Sequence, residues 1–172
     1  VGELAKMALA GLSVDERSGP VALMGYSFGG IIAFEAASQL ARQQIPVSLI
    51  IIDSVPVWLD RLRHLRTAWQ AARRGNLAIG QRRLVEFFGG PVRMRPTPRS
   101  VEEAYLSAVH DFTPEPVEGV QALLVLSAEN PAKADLVGEW QLLLGAGLII
   151  AEVDGNHFTM MRDPNVAGLA RK

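Results

Sequence analysis

Residues 47–52 read Val-Ser-Leu-Ile-Ile-Ile, a β-branched run too short for a core helix and too apolar for a surface strand. Such a run predicts a strand buried on both faces of a sheet. A shorter apolar run, Val21 to Gly25, precedes it and is bounded by turn residues. Between the two, Gly29 to Gln44 is rich in alanine. It places Ile32, Phe34, Ala37, Leu40 and Ala41 at helical spacing, with Pro46 just beyond its end. Strand, helix, strand in this order is the βαβ unit of a parallel sheet. The chain is thereby confined to the α/β class.

The same alternation returns near the end. Ala122 to Ser127 predicts a strand, Asp135 to Leu144 a helix and Leu148 to Val153 a strand. Asp163 to Arg171 reads as a closing helix with Pro164 in its first turn. Val1 to Val14 reads as a helix rather than a signal peptide, because Glu3 and Lys6 interrupt its apolar pattern. The middle differs. Trp58, Leu62, Leu65, Trp69 and Ala72 recur at three- and four-residue steps, the mark of an amphipathic helix. Leu77 to Phe88 can form a second helix, and Ser100 with Glu103 has capping-box spacing before a third. The expected organisation is one domain over residues 1–172 with a helical insertion over residues 57–112.

Composition narrows the function. An apolar content of 49% supports a substantial core, and a net charge of −1 argues against a general nucleic-acid binder. With no cysteine there is neither a disulfide nor a thiolate nucleophile. The longest apolar runs fall well short of the roughly 20 residues a membrane span needs, so a cytoplasmic protein without membrane contact is expected. Charge is uneven: ten of the fourteen arginines fall between Arg61 and Arg99.

The sharpest chemical signal is Gly25-Tyr26-Ser27-Phe28-Gly29, a G-x-S-x-G placed where a strand should end and a helix begin. A serine on that turn is forced into a tight backbone conformation that exposes its hydroxyl. The two glycines are expected where side chains would collide across the turn. The helix N-terminus directs its dipole at a developing oxyanion, and the Phe28 N–H is the expected donor. A nucleophilic serine needs a base. His157 follows the last strand, so its loop gathers at the same carboxyl edge of the sheet as Ser27. His64 reads as solvated and His110 as structural. For the acid, Asp53 ends the strand after the nucleophile helix, and Glu129 ends the next strand. Asp53 is favoured, with a capping role as its competing reading. Asp154 fits a turn-shaping role, and Asp135 stands at a helix start.

These residues resemble a family. Residues 21–40 (VALMGYSFGGIIAFEAASQL), Ile50-Ile51-Ile52-Asp53-Ser54 and Gly155-Asn156-His157-Phe158-Thr159-Met160 look like the thioesterase domains of polyketide synthases and nonribosomal peptide synthetases. The resemblance implies an α/β-hydrolase-type fold: a mainly parallel sheet with helices on both faces and a helical lid insertion. The family's N-terminal strands, and its second oxyanion donor, are expected upstream of Val1. It also implies Ser27 as nucleophile, His157 as base and Asp53 as acid. The implied reaction releases an acyl or peptidyl chain from the phosphopantetheine arm of an acyl or peptidyl carrier protein, by hydrolysis or cyclisation, with no cofactor bound by the domain itself. Tyr26, Trp58, Leu62 and Trp69 are the residues expected to line the acyl chain. Asn156 departs from the family's frequent Asp. Three alternatives stand beside this reading. They are a free-standing editing thioesterase with its acid where Glu129 stands, a small-molecule serine esterase, and an inactive module that binds a carrier through the basic insertion.

Overall fold

The structure, a computed structural model, describes residues 1–12, 20–56, 108 and 112–172. Of the expected lid only residues 108 and 112 are described; Trp58, Leu62, Trp69, His64 and His110 lie outside the described residues. Residues 1–12, 20–56 and 114–172 belong to one compact unit, Val1–Pro56 with Pro114–Lys172.

In chain order the elements are α1 (Gly2–Ala10), β1 (Val21–Tyr26), α2 (Phe28–Arg42) and β2 (Val47–Ile52). Further along, the described elements are β3 (Gln121–Ser127), α3 (Lys133–Leu144), β4 (Leu148–Val153) and the short α4 (Val166–Leu169). The strands form one sheet in the order β1-β2-β3-β4, every pair parallel. This is the α/β arrangement the strand–helix–strand alternation demands. Two helices are shorter than their sequence patterns suggest. α1 stops at Ala10, with Gly11 as its cap. The closing helix covers only Val166–Leu169, because Pro164 belongs to a preceding turn rather than to a first helical turn.

The register sorts the sheet into two faces. Leu23, Leu49, Ala122 and Leu148 form one cross-strand row, and Gly25, Ile51, Leu124 and Ile150 the next. Leu49, Ile51, Leu124 and Leu126 are completely buried on this face, under Phe34 and Leu40 of α2 and Leu136, Trp140 and Leu143 of α3. Each such side chain contributes about 2 kcal/mol of burial free energy. The second face is covered mainly at its carboxyl end, where Ile52, Val125, Val153 and Met160 form a cluster that Leu169 of α4 packs against. Further back, Met24 and Ile149 are 69% and 66% exposed, and Ser48 is exposed. The expectation that residues 47–52 are buried on both faces therefore holds only for the end of β2 nearest the site. Among the described residues, no helix is long and apolar enough to cross a membrane.

Candidate active site

The four described strands deliver their carboxyl ends to one edge, and the chemistry-bearing residues sit on the turns that follow. Ser27 directly follows β1 and caps α2, with φ 55° and ψ −124°. This is a sparsely populated conformation for a side-chain-bearing residue and costs of the order of 1–3 kcal/mol. Its N–H still donates to the Ile52 carbonyl (2.9 Å), continuing the β1–β2 ladder, and its carbonyl accepts from the Gly30 N–H (3.0 Å). The glycines around it are not equivalent. A Cβ on Gly25 would lie 2.0 Å from the Gly29 carbonyl oxygen, backbone that cannot move aside. A Cβ on Gly29 would meet nothing. The steric expectation is thus met at the first glycine of the motif and corrected at the second. Gly30 is crowded as well: its Cβ would fall 2.5 Å from Cβ of Ser54. Gly30 lets α2 lie directly against the turn that carries Asp53.

Asp53 directly follows β2 and also has positive φ, 42°. It is 3% exposed, and hydrogen bonds occupy both carboxylate oxygens. Oδ1 accepts from the Ser127 N–H and from Asn130 Nδ2, each at 3.0 Å. Oδ2 accepts from the Ser127 hydroxyl (3.0 Å) and lies 2.9 Å from His157 Nδ1. Burial alone would push this carboxyl up. The bonds from Asn130, the Ser127 N–H, His157 and the Ser127 hydroxyl outweigh it and hold Asp53 below the usual carboxylate range. The turn is braced from beneath: Trp140, buried in α3, donates its indole N–H to the Ser54 carbonyl at 2.9 Å.

His157 sits on the loop after β4. Asn156 shapes that loop, its Oδ1 accepting from the N–H groups of Phe158 (3.0 Å) and Thr159 (3.2 Å). Its Nδ2 donates to Glu129 Oε2 at 3.3 Å. An amide therefore suits this position, since an Asp here could not donate to Glu129. Because Nδ1 faces the carboxylate, Nδ1 carries the proton and Nε2 is left as the basic nitrogen. The described hydrogen bonds of His157 run to Asp53 and Tyr26, and none runs to the Ser27 hydroxyl. In unliganded sites such bonds often tighten only when substrate is bound.

Asp53, rather than Glu129, is the carboxylate beside the imidazole; Glu129 is exposed and bonds to Asn156. Asp154 is exposed on its turn, and Asp135 lies in the first turn of α3. Sequence reasoning missed Ser127, Asn130 and Gly30. Of these only Asn130, before Pro131, carries a local signal, that of a turn. Tyr26 was expected against substrate, yet it contacts the imidazole: its ring stacks on His157 with centroids 4.9 Å apart.

A parallel sheet with a strained serine between strand and helix, and a histidine–aspartate pair on neighbouring turns, defines an α/β-hydrolase-type fold. The thioesterase-domain family matches residues 1–74. The orsellinic acid synthase of Armillaria mellea is 27% identical across 90% of this chain, which spans 8% of that protein. The inactive atromentin synthetase of Paxillus involutus is 27% identical across 98% of this chain and 21% of its own length. Among solved structures, the NocB thioesterase domain of the nocardicin cluster superposes with TM-score 0.63 at 21% identity, over 99% of this chain and 70% of its own. The RedJ thioesterase of the prodiginine pathway in Streptomyces coelicolor gives 0.60 at 20% identity, over 99% and 65%. The chain is thus similar in part of its sequence to thioesterase domains and shares the fold of those in the solved structures.

Proposed function

We propose that this chain carries the catalytic machinery of a serine thioesterase that releases an acyl, polyketide or peptidyl chain from the phosphopantetheine thioester of a carrier protein. The observation that carries this reading is the His157–Asp53 pair at 2.9 Å, at the sheet edge where Ser27 stands strained at the N-terminus of α2.

His157 Nε2 takes the Ser27 proton as Oγ attacks the thioester carbonyl, and Asp53 balances the imidazolium charge while fixing the ring. The tetrahedral oxyanion is stabilised by the N-terminal dipole of α2 and by the Phe28 N–H. The intermediate collapses by breaking the C–S bond. The imidazolium proton goes to the leaving thiolate, leaving an acyl ester on Ser27. In the second half His157 deprotonates the incoming nucleophile, and the ester C–O bond breaks with the proton returned to Ser27. Water as nucleophile gives a free acid; a hydroxyl or amine of the chain itself gives a ring. The domain needs no bound cofactor, because the phosphopantetheine arrives with the substrate.

The experiment compares turnover of octanoyl-pantetheine with that of the matched octanoyl oxyester. Preference for the thioester, abolished in Ser27→Ala, is expected. Equal or better use of the oxyester assigns the site to a general esterase.

A further inference from the structure

Tyr26 is the last residue of β1 and directly precedes Ser27. Its ring stacks on the imidazole of His157, with centroids 4.9 Å apart and planes inclined by 22°. The phenol donates to the carbonyl oxygen of His157 itself. The ring also packs against the cluster of Ile52, Val125, Val153 and Met160, with buried core on one side and the base of the site on the other. Two further contacts of the imidazole are seen among the described residues: Asp53 at Nδ1, and the ring of Phe158 in a T-shaped pair at 5.2 Å.

The Asp53 bond fixes one nitrogen but leaves the ring free to swing about that contact. A flat partner on the ring face removes that freedom. It also answers the charge the imidazole acquires, since a cation within about 6 Å of an aromatic face is attracted to it. The phenol stays a donor at neutral pH: burial, followed by the nearby Asp53 charge, raises its ionisation above the ordinary tyrosine range, with Arg162 opposing.

We propose that Tyr26 is a positioning residue for His157, its ring holding the imidazole plane toward Ser27 and its hydroxyl pinning the backbone of the histidine loop. The role rests on reading Ser27 and His157 as nucleophile and base. It differs from that of a residue lining the acyl chain, because it acts on the base rather than on bound substrate. Both half-reactions use the same imidazole, so acylation and deacylation depend on it alike.

The test uses the full chain with Tyr26→Phe, Tyr26→Leu and Tyr26→Trp, assayed on octanoyl-pantetheine and by the rate of Ser27 labelling with a fluorophosphonate. Tyr26→Leu is expected to lower kcat about 30-fold with KM within about twofold, the scale of a misplaced catalytic group. Tyr26→Phe keeps the stack and should lose only about threefold, and Tyr26→Trp should recover most of the Leu deficit. The ring-current shift of the His157 ring protons should persist in the Phe variant and fall in the Leu variant to the part that Phe158 contributes. A kcat within twofold of wild type for Tyr26→Leu, a loss confined to KM, or equal losses for Phe and Leu would overturn the role. These outcomes are distinct from failure of the underlying reading, which shows as a wild-type enzyme that does not label at Ser27.

Discussion

Two turns at the carboxyl edge of the sheet, after β1 and after β2, each hold a side-chain-bearing residue at positive φ: Ser27 at 55° and Asp53 at 42°. Each also keeps its own N–H in the ladder, donating to Ile52 and Val125 respectively. They sustain the strain by different means. The serine turn is held by backbone closeness, with Gly25 and Gly30 allowing contacts no Cβ would permit. The aspartate turn is held by side-chain hydrogen bonds, with Ser127 and Asn130 donating to its carboxylate. Steric strain at an active site is maintained by whatever over-determines it. Here one turn relies on the absence of side chains and the other on their presence.

The contrast breaks most sharply on substitution. Ser27→Ala should reduce thioester turnover by at least about 10⁴-fold without changing the circular dichroism spectrum. Asp53→Asn follows, with a loss of about 10³- to 10⁴-fold in kcat, since an amide cannot enforce the same imidazole tautomer. Gly25→Ala should destabilise the fold by about 3 kcal/mol or more in urea titration. Gly29→Ala, in the same motif, should change stability by less than about 1 kcal/mol, in the favourable direction if helix propensity dominates.

Asn130→Ala sharpens the comparison on the other turn. It removes one donor to Asp53, and a loss of about 1–2 kcal/mol is expected. The pH dependence has a definite sign. The Asp53 carboxyl is depressed in the folded state, so its contribution is present above the ordinary carboxyl value and lost as pH falls through the lower, folded one. Removing a donor raises the folded value. The acid-unfolding midpoint of Asn130→Ala, followed by circular dichroism, should therefore move to higher pH. The smallest effect is expected at the carboxylate that lost the contest: Glu129→Gln should leave kcat within about threefold, because its exposed side chain bonds only to Asn156 among the described contacts.

The same contrast sets what was legible in the sequence. β1, α2, β2, β3, α3 and β4 were readable to within a residue or two, because apolar periodicity reports burial directly. Ser27 was readable because Gly25 and Gly29 flank it between strand and helix, although only Gly25 of the two proves sterically required. The strain at Asp53 leaves no such mark. Asp53 and Glu129 both follow strands, and only the fold shows that the imidazole meets Asp53, 104 positions away in the chain. Ser127 and Asn130 were invisible as its donors for the same reason. The exposed Ser48 and half-buried Ile50 ran against the expectation that residues 47–52 are buried on both faces, since a β-branched run signals apolarity without saying what covers each face.

The account stands on Ser27 being a hydroxyl activated by His157. Fluorophosphonate labelling of the protein, followed by peptide mapping, tests this most directly. The expected result is a single adduct on Ser27, formed at least about 100-fold more slowly in His157→Ala. An adduct on another residue, or equal labelling of wild type and His157→Ala, would contradict it.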